Sequence, residues 1–329
     1  MDKIELKNKI EKIREDYDIE PSFLEKDVYI TKILKTLSNL ENDKIIPVFS
    51  GGTSLHKGHK IIKRFSEDVD FRVKTKTDIT RNDRREYREY IIQEINKIPN
   101  VKVVEETIQS RNESNFFGFY IDYPKEYSLD KSLRSNIKFE MGFEKLNLET
   151  KSCQIESMID SLDNKDNNKS DKFNIDCISL EEIAGNKLSA LMWRVQIKDR
   201  AQPFGIKNDP TIMRHLHDLS ALHSQIQTDN FVNMLQKSFN NDLGRSGSNK
   251  DIDLITSLNN TFDSLKNDKM YKKEYDGFVA NMCYGRDDEI TNFNTALNDF
   301  KEIKEFAIER INTLENSIVN KDLDFDMDI

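Results

Sequence analysis

The chain has 329 residues, enough at roughly 150 per domain for about two domains with real cores. Only 11 glycines and 6 prolines accompany 36% hydrophobic and 33% charged residues, which excludes collagen-like and low-complexity chains and favours long helices with few tight turns. A formal charge of −9 excludes a general nucleic-acid coat but leaves room for a local basic patch, and three scattered cysteines, Cys153, Cys177 and Cys283, form no CxxC pair.

Ser22 and Glu25 have capping-box spacing after Pro21, and Ile30, Ile33, Leu34 and Leu37 follow at helical period. Lys44 to Phe49 forms a short apolar run ending in Gly51-Gly52, and Thr53 to Lys63 reads as a helix, so the segment predicts strand, glycine turn and helix N-terminus. From Ser66 to Val73 the chain alternates strictly, with Val69, Phe71 and Val73 on one face and Asp68, Asp70 and Arg72 on the other. Residues 101–107, 116–123 and 136–143 repeat the strand signal, the last with Glu140 and Lys138 on the face away from Ile137, Phe139 and Met141.

The stretch 163–172 holds no apolar residue, so the chain divides into a core over 1–162, a polar linker or loop over 163–175, and a helical domain over 176–329. In that second half, Leu180, Ile183, Ala184, Leu188, Leu191 and Val195 form one helical stripe. Further helices are expected over about 212–226, around Leu254 to Leu265, and from Ile290 to Ile318. The tail Asp322–Ile329 alternates acid and apolar residues and reads as a fraying terminus. The fold class is therefore α/β (α+β), a mixed core followed by helices.

The chemistry concentrates between Phe49 and Phe71. Gly51 and Gly52 let backbone approach a phosphate closely, the N–H groups opening the Thr53 helix are anion donors, and Ser54 adds a hydroxyl. Asp68 and Asp70, at i and i+2 of a strand, project from one face about 6.6 Å apart along the chain. Such a pair clamps divalent ions bridged by triphosphate oxygens, and Glu140 is the candidate third carboxylate, as metal ligand or general base.

Gly51-Gly52 followed after fifteen residues by Asp-Val-Asp-Phe resembles the signature of the polymerase beta-like nucleotidyltransferase superfamily. More closely, GGTSL followed by RFSEDVDF is similar to the AbiEii-type nucleotidyltransferase toxins of abortive-infection systems, as are FLEKDVYITKIL (23–34) and SNIKFEMGF (135–143). The resemblance implies a nucleotidyltransferase-fold core with a mixed sheet and a helical domain completing the active site. It assigns nucleotide contacts to Gly51, Gly52, Thr53, Ser54, Arg64 and Ser66, and metal binding to Asp68, Asp70 and Glu140. In the helical half, EEIAGNKLSALMWR supplies Lys187 and Arg194 for the family's lysine and arginine, and Asp218 matches its Arg-Asp-hydrophobic-aromatic-Asp-Leu motif, from which His215 departs.

Lys187 also stands out on physical grounds, since it falls inside an apolar stripe, where an unpaired charge is costly and a triphosphate would neutralise it. Arg214 and Asp218 are spaced as an i, i+4 surface pair. His215 and His217 diverge by about 200° on a helix, so no zinc-ligand face forms there. Between Lys57 and Arg88 eleven basic residues oppose six acidic ones, a local excess that suits RNA phosphates.

The resemblance thus implies a toxin that uses Mg²⁺ (or Mn²⁺) to move a nucleoside monophosphate from a nucleoside triphosphate onto RNA, the tRNA acceptor end foremost, blocking translation or phage growth. A cognate antitoxin encoded nearby is implied as partner. Nucleotidylation of a protein or small molecule, or a non-catalytic RNA-binding relative, stay open as alternatives. The absence of a signal-peptide layout and of any apolar run near ~20 residues sets the expectation of a cytoplasmic protein with no membrane partner.

Overall fold

The computed structural model describes residues 3–17, 19–163, 171–245, 247–285 and 289–326, with side chains through Leu314. The side chains of the acidic tail and most of the polar stretch after Asp163 lie outside these described residues. The chain forms two compact units, the first running to Ser179 with a short return segment around Cys283, the second made of the remaining helical sequence.

In the first unit, helices α1 (Lys3–Tyr17) and α2 (Pro21–Leu37) precede a seven-stranded mixed sheet. Its strands are β1 (Ile45–Ser50), β2 (Asp68–Thr75), β3 (Lys102–Arg111), β4 (Phe116–Asp122), β5 (Ile137–Gly142), β6 (Lys151–Ile155) and β7 (Phe173–Cys177), in the order β3-β4-β5-β2-β1-β7-β6. β2 lies at the centre, antiparallel to β1 and parallel to β5. Strict alternation decides which face is covered: Val69, Phe71 and Val73 of β2 and Ile137, Phe139 and Met141 of β5 are buried. They form one core with Ile33 and Leu34 of α2 and with Ile91 and Ile95 of α4 (Arg81–Asn96). An aromatic ladder crosses this face, with ring centroids 4.7 Å apart for Phe119–Phe139, 6.1 Å for Phe71–Phe139 and 5.5 Å for Phe49–Phe71. Such contacts contribute about 0.5–1.5 kcal/mol per pair beyond burial and fix strand register.

The opposite side of α2 packs Phe23, Leu24 and Val28 against α1 in a second core. Burial on both sides explains why the expected capping box does not form: Ser22 Oγ accepts from Asp130 N at 3.2 Å and Glu25 accepts from Glu126 N at 2.9 Å, so tertiary backbone takes both groups. The helix expected over 53–63 is also cut short. It comprises α3 (Gly51–Thr53) and a π-turn (Ser54–Gly58), after which the chain turns away with Lys60 at φ 57°. Beyond the polar stretch, β7 inserts between β1 and β6, and the second compact unit begins at Leu180.

The first unit also holds α5 (Met158–Leu162). The second unit is helical: α6 (Leu180–Gln196), α7 (Met213–Leu222), α8 (Asp229–Asp242), α9 (Leu254–Asn267), α10 (Lys269–Met282) and α11 (Phe293–Asp326), with only Met282, the last residue of α10, counted in the first unit's return segment. Gly185, inside α6, has a reason to be glycine: a Cβ there would lie 2.8 Å from Met234 C and 2.9 Å from Leu235 N. The helix accepts a propensity cost of about 1 kcal/mol so that α6 and α8 touch backbone to backbone.

Candidate active site

The polar face of the central strands holds the carboxylates. Asp70 is the register partner of Glu140 and of Ser50, and Asp68 lies on the same face beside Lys138. Parallel pairing therefore brings Asp68, Asp70 and Glu140 onto one half-exposed patch of β2 and β5, with the apolar core directly behind.

The glycine turn closes against this patch. Gly51 has φ +74°, and a Cβ on it would stand only 2.9 Å from Asp70 Cγ, so backbone is pressed onto the carboxylate in a conformation that favours glycine. Gly52 is equally confined, since a Cβ there would meet Arg64 Nη2 at 2.6 Å and Ser66 Oγ at 3.0 Å. Thr53 Oγ1 donates to the Asp68 carbonyl and lies 2.9 Å from Ser66 Oγ, while Ser54 Oγ donates to the Gly51 carbonyl at 2.9 Å. Both hydroxyls are fully buried, so the Ser54 hydroxyl expected to face a phosphate instead closes the turn. Arg64 is buried as well, with Nη1 donating to the Phe65 carbonyl at 2.8 Å.

Buried charges fasten the turn from below. Lys57 donates to Asp27 of α2 at 2.6 Å, and Asp27 also accepts from Met158 N at 2.7 Å. His56 Nε2 lies 2.5 Å from the Tyr284 hydroxyl. Burial, reinforced by the charges of Lys57 and Arg64, holds the His56 imidazole well below its ordinary pKa.

Cations already sit at the carboxylates. Arg134 Nη1 donates to Asp68 Oδ1 at 2.5 Å, and Lys138 Nζ lies 2.8 Å from Glu140 Oε1. Arg134 Nε is 3.5 Å from Glu67, whose other oxygen meets Lys26 of α2 at 2.5 Å. Burial lowers the Arg134 pKa but Asp68 and Glu67 outweigh it, leaving the group above its usual value. Burial likewise depresses Lys26, with Glu67 only partly restoring it. Asp68, Asp70 and Glu140 offer hard oxygens on one face, the donor chemistry that Mg²⁺ or Mn²⁺ takes. Such an ion would compete with Arg134 for Asp68 and with Lys138 for Glu140.

Sequence reasoning missed Lys26, Glu67 and Arg134. A signal existed for the first: Glu25, Lys26 and Asp27 are consecutive in an apolar helix, and three consecutive positions sweep about 200°, wider than a single polar face allows. Arg134 carries no local pattern.

In the second unit, Lys187 is buried with Nζ 2.6 Å from Asp218 Oδ2, and Asp218 is completely buried. This corrects two expectations. Lys187 has a protein counter-ion, and Asp218 is its partner in the interior instead of a surface partner of Arg214. Arg194 Nη1 is 3.2 Å from Asp209 and its guanidinium stacks over Trp193 at 4.9 Å. Burial lowers its pKa, opposed by Asp209.

The basic excess between Lys57 and Arg88 is also dispersed. Lys57 and Arg64 are buried, Lys60 pairs with Glu156 and Lys76 with Glu41, and Arg81 and Arg85 of α4 are exposed.

The family model described as "Nucleotidyl transferase AbiEii toxin, Type IV TA system" matches residues 32–305. Among solved structures, MenT4, a nucleotidyltransferase toxin from Mycobacterium tuberculosis H37Rv, is similar with a TM-score of 0.52 and 13% identity, over 87% of this chain and 85% of that chain. At that identity the likeness concerns the fold. No curated protein sequence matches the chain. No described helix is long and apolar enough to cross a membrane.

Proposed function

Because the chain belongs to the AbiEii family of nucleotidyltransferase toxins, we propose that it transfers a nucleoside monophosphate from a nucleoside triphosphate to the acceptor end of tRNA, with Mg²⁺ as cofactor. The observation that supports this most is the register Asp70↔Glu140, with Asp68 on the same face and Gly51 pressed against Asp70. It joins hard-cation ligands to a backbone turn that no side chain keeps at a distance.

In this reading Asp68, Asp70 and Glu140 hold the metal, which when bound polarises the phosphoryl oxygens and activates the attacking hydroxyl. The Gly51-Gly52 backbone receives the triphosphate, with Arg64 and Ser66 beneath Gly52 and Thr53 and Ser54 holding the turn in shape. Asp70, against which the turn closes, would hold the metal beside the Gly51 backbone. Lys187 and Arg194 are assigned triphosphate contacts in the helical unit, each drawn away from its present carboxylate, Asp218 or Asp209. A type IV antitoxin is the expected cellular counterpart, and the protein works in the cytoplasm.

Incubating purified protein with total tRNA and each α-labelled triphosphate in turn tests reaction, nucleotide and acceptor together. Label moving to tRNA supports the reading. Label appearing on protein or a small molecule redirects the acceptor, and absence of pyrophosphate release under all conditions contradicts catalysis.

A further inference from the structure

A second cluster of ligand atoms lies in the first unit, away from the carboxylates. His59, Cys153 and Cys177 each offer one ligand atom, all within 4.8 Å of one another, and no other such trio of His, Cys, Asp or Glu occurs among the described residues. Strand alternation puts this cluster on the other face of the sheet. Cys177 is the register partner of Phe49, while Ser50 is that of Asp70, and consecutive residues of β1 point to opposite faces. Gly58 ends the π-turn directly on the thiols, since a Cβ there would stand 2.6 Å from Cys177 Sγ and 3.5 Å from Cys153 Cβ.

We propose that His59, Cys153 and Cys177 bind Zn²⁺, and that the ion clamps the end of the glycine turn to β6 and β7. Two sulfurs and an imidazole are soft and borderline donors that select Zn²⁺ over the Mg²⁺ suited to carboxylates. About 2.3 Å zinc–sulfur bonds at a tetrahedral centre put the sulfurs roughly 3.8 Å apart, within the span of the cluster. His59 donates Nε2–H to the Ile178 carbonyl at 3.0 Å, which leaves Nδ1 as the coordinating nitrogen and is the usual outer partner of a metal-bound imidazole. The three side chains leave one position of a tetrahedral site to a ligand from outside this trio.

The strand register argues against the competing use of the thiols. Cys153 stands opposite Ile175 and Cys177 opposite Lys151, so the cysteines are diagonal neighbours. Diagonal residues are about 7–8 Å apart, beyond the roughly 6.8 Å that a disulfide spans, whereas a metal bridges that gap. Both thiol protons leave when zinc is bound, so uptake should release two protons per ion.

The test uses the reduced full-length protein. Zinc analysis should find close to one ion per chain after gel filtration. Co²⁺ added to stripped protein should give the intense near-ultraviolet absorption of thiolate-to-cobalt charge transfer. Cys153→Ala, Cys177→Ala and His59→Ala should lose that absorption or weaken Co²⁺ binding at least about a hundredfold, while Cys283→Ala keeps it. Reduced wild-type protein that takes up neither ion overturns the proposal whatever the variants do. So does a Cys153→Ala/Cys177→Ala protein that binds as much metal as wild type.

Discussion

Two sets of charged residues sit on regular elements of this molecule, and their surroundings differ sharply. The carboxylates of β2 and β5 are half-exposed, with Asp68 and Glu140 held by Arg134 and Lys138, whose side chains retain 39% and 32% exposure. Lys187 and Asp218 face each other in a helical interior with side chains 9% and 0% exposed. A cation that reaches solvent can be exchanged for an incoming ion at modest cost, whereas removing one member of a buried pair strands the other. On the proposed function the sheet face gives up its cations to a metal ion, while the helical pair is the costlier of the two to break.

The largest expected effect breaks the closed pair. Lys187→Met should destabilise the protein by about 3–5 kcal/mol, because Asp218 keeps its burial and loses its counter-ion. Lys187→Met/Asp218→Leu should recover most of that in denaturant unfolding. Transfer measured on the double variant sharpens the comparison: activity still lost in a restored fold assigns Lys187 to the triphosphate, and activity recovered makes the pair structural.

Next in size is Gly51→Ala. It forces a side chain into a positive-φ position against Asp70 and should cost about 1–3 kcal/mol, while Gly277→Ala, where an added Cβ meets nothing within 4 Å, should not. A Gly51→Ala protein of wild-type stability would mean that the turn is looser than the geometry requires.

Acid should act through His56. Its folded-state pKa lies below the ordinary 6.5 through burial and the charges of Lys57 and Arg64, so the unfolded chain binds more protons below that pH. Stability present above about pH 6.5 is then lost as pH falls, by up to about 1.4 kcal/mol per unit from this one group. His56→Phe should flatten that slope in unfolding curves taken at successive pH values, whatever it does to absolute stability.

The smallest change in stability belongs to the surface. Charge reversal at Arg81 and Arg85 should shift stability by less than about 0.5 kcal/mol yet reduce the salt dependence of tRNA use, if this part of α4 meets phosphates. Unaltered tRNA kinetics at two salt concentrations would make it an ordinary solvated surface.

Legibility in the sequence followed the range of the forces. β2 and β5 could be read because period-two alternation is local, and the Lys187 stripe because helical period is local. The register that sets Asp70 beside Glu140 is made by residues seventy apart, and no local pattern specifies it. Helical spacing points from Asp218 to Arg214, but burial favours the tertiary partner Lys187. Ser22 and Glu25 have the spacing of a local cap and serve distant backbone instead. β6 and β7, five residues each, were too short to stand out beside the polar stretch between them.

The most direct test of the exchangeable carboxylate face is Asp70→Asn, assayed for nucleotide transfer in Mg²⁺ beside its thermal unfolding. The account predicts unfolding close to wild type and transfer reduced by several kcal/mol of transition-state stabilisation, a loss of about a thousandfold or more. A folded Asp70→Asn protein that transfers nucleotide at the wild-type rate would contradict it.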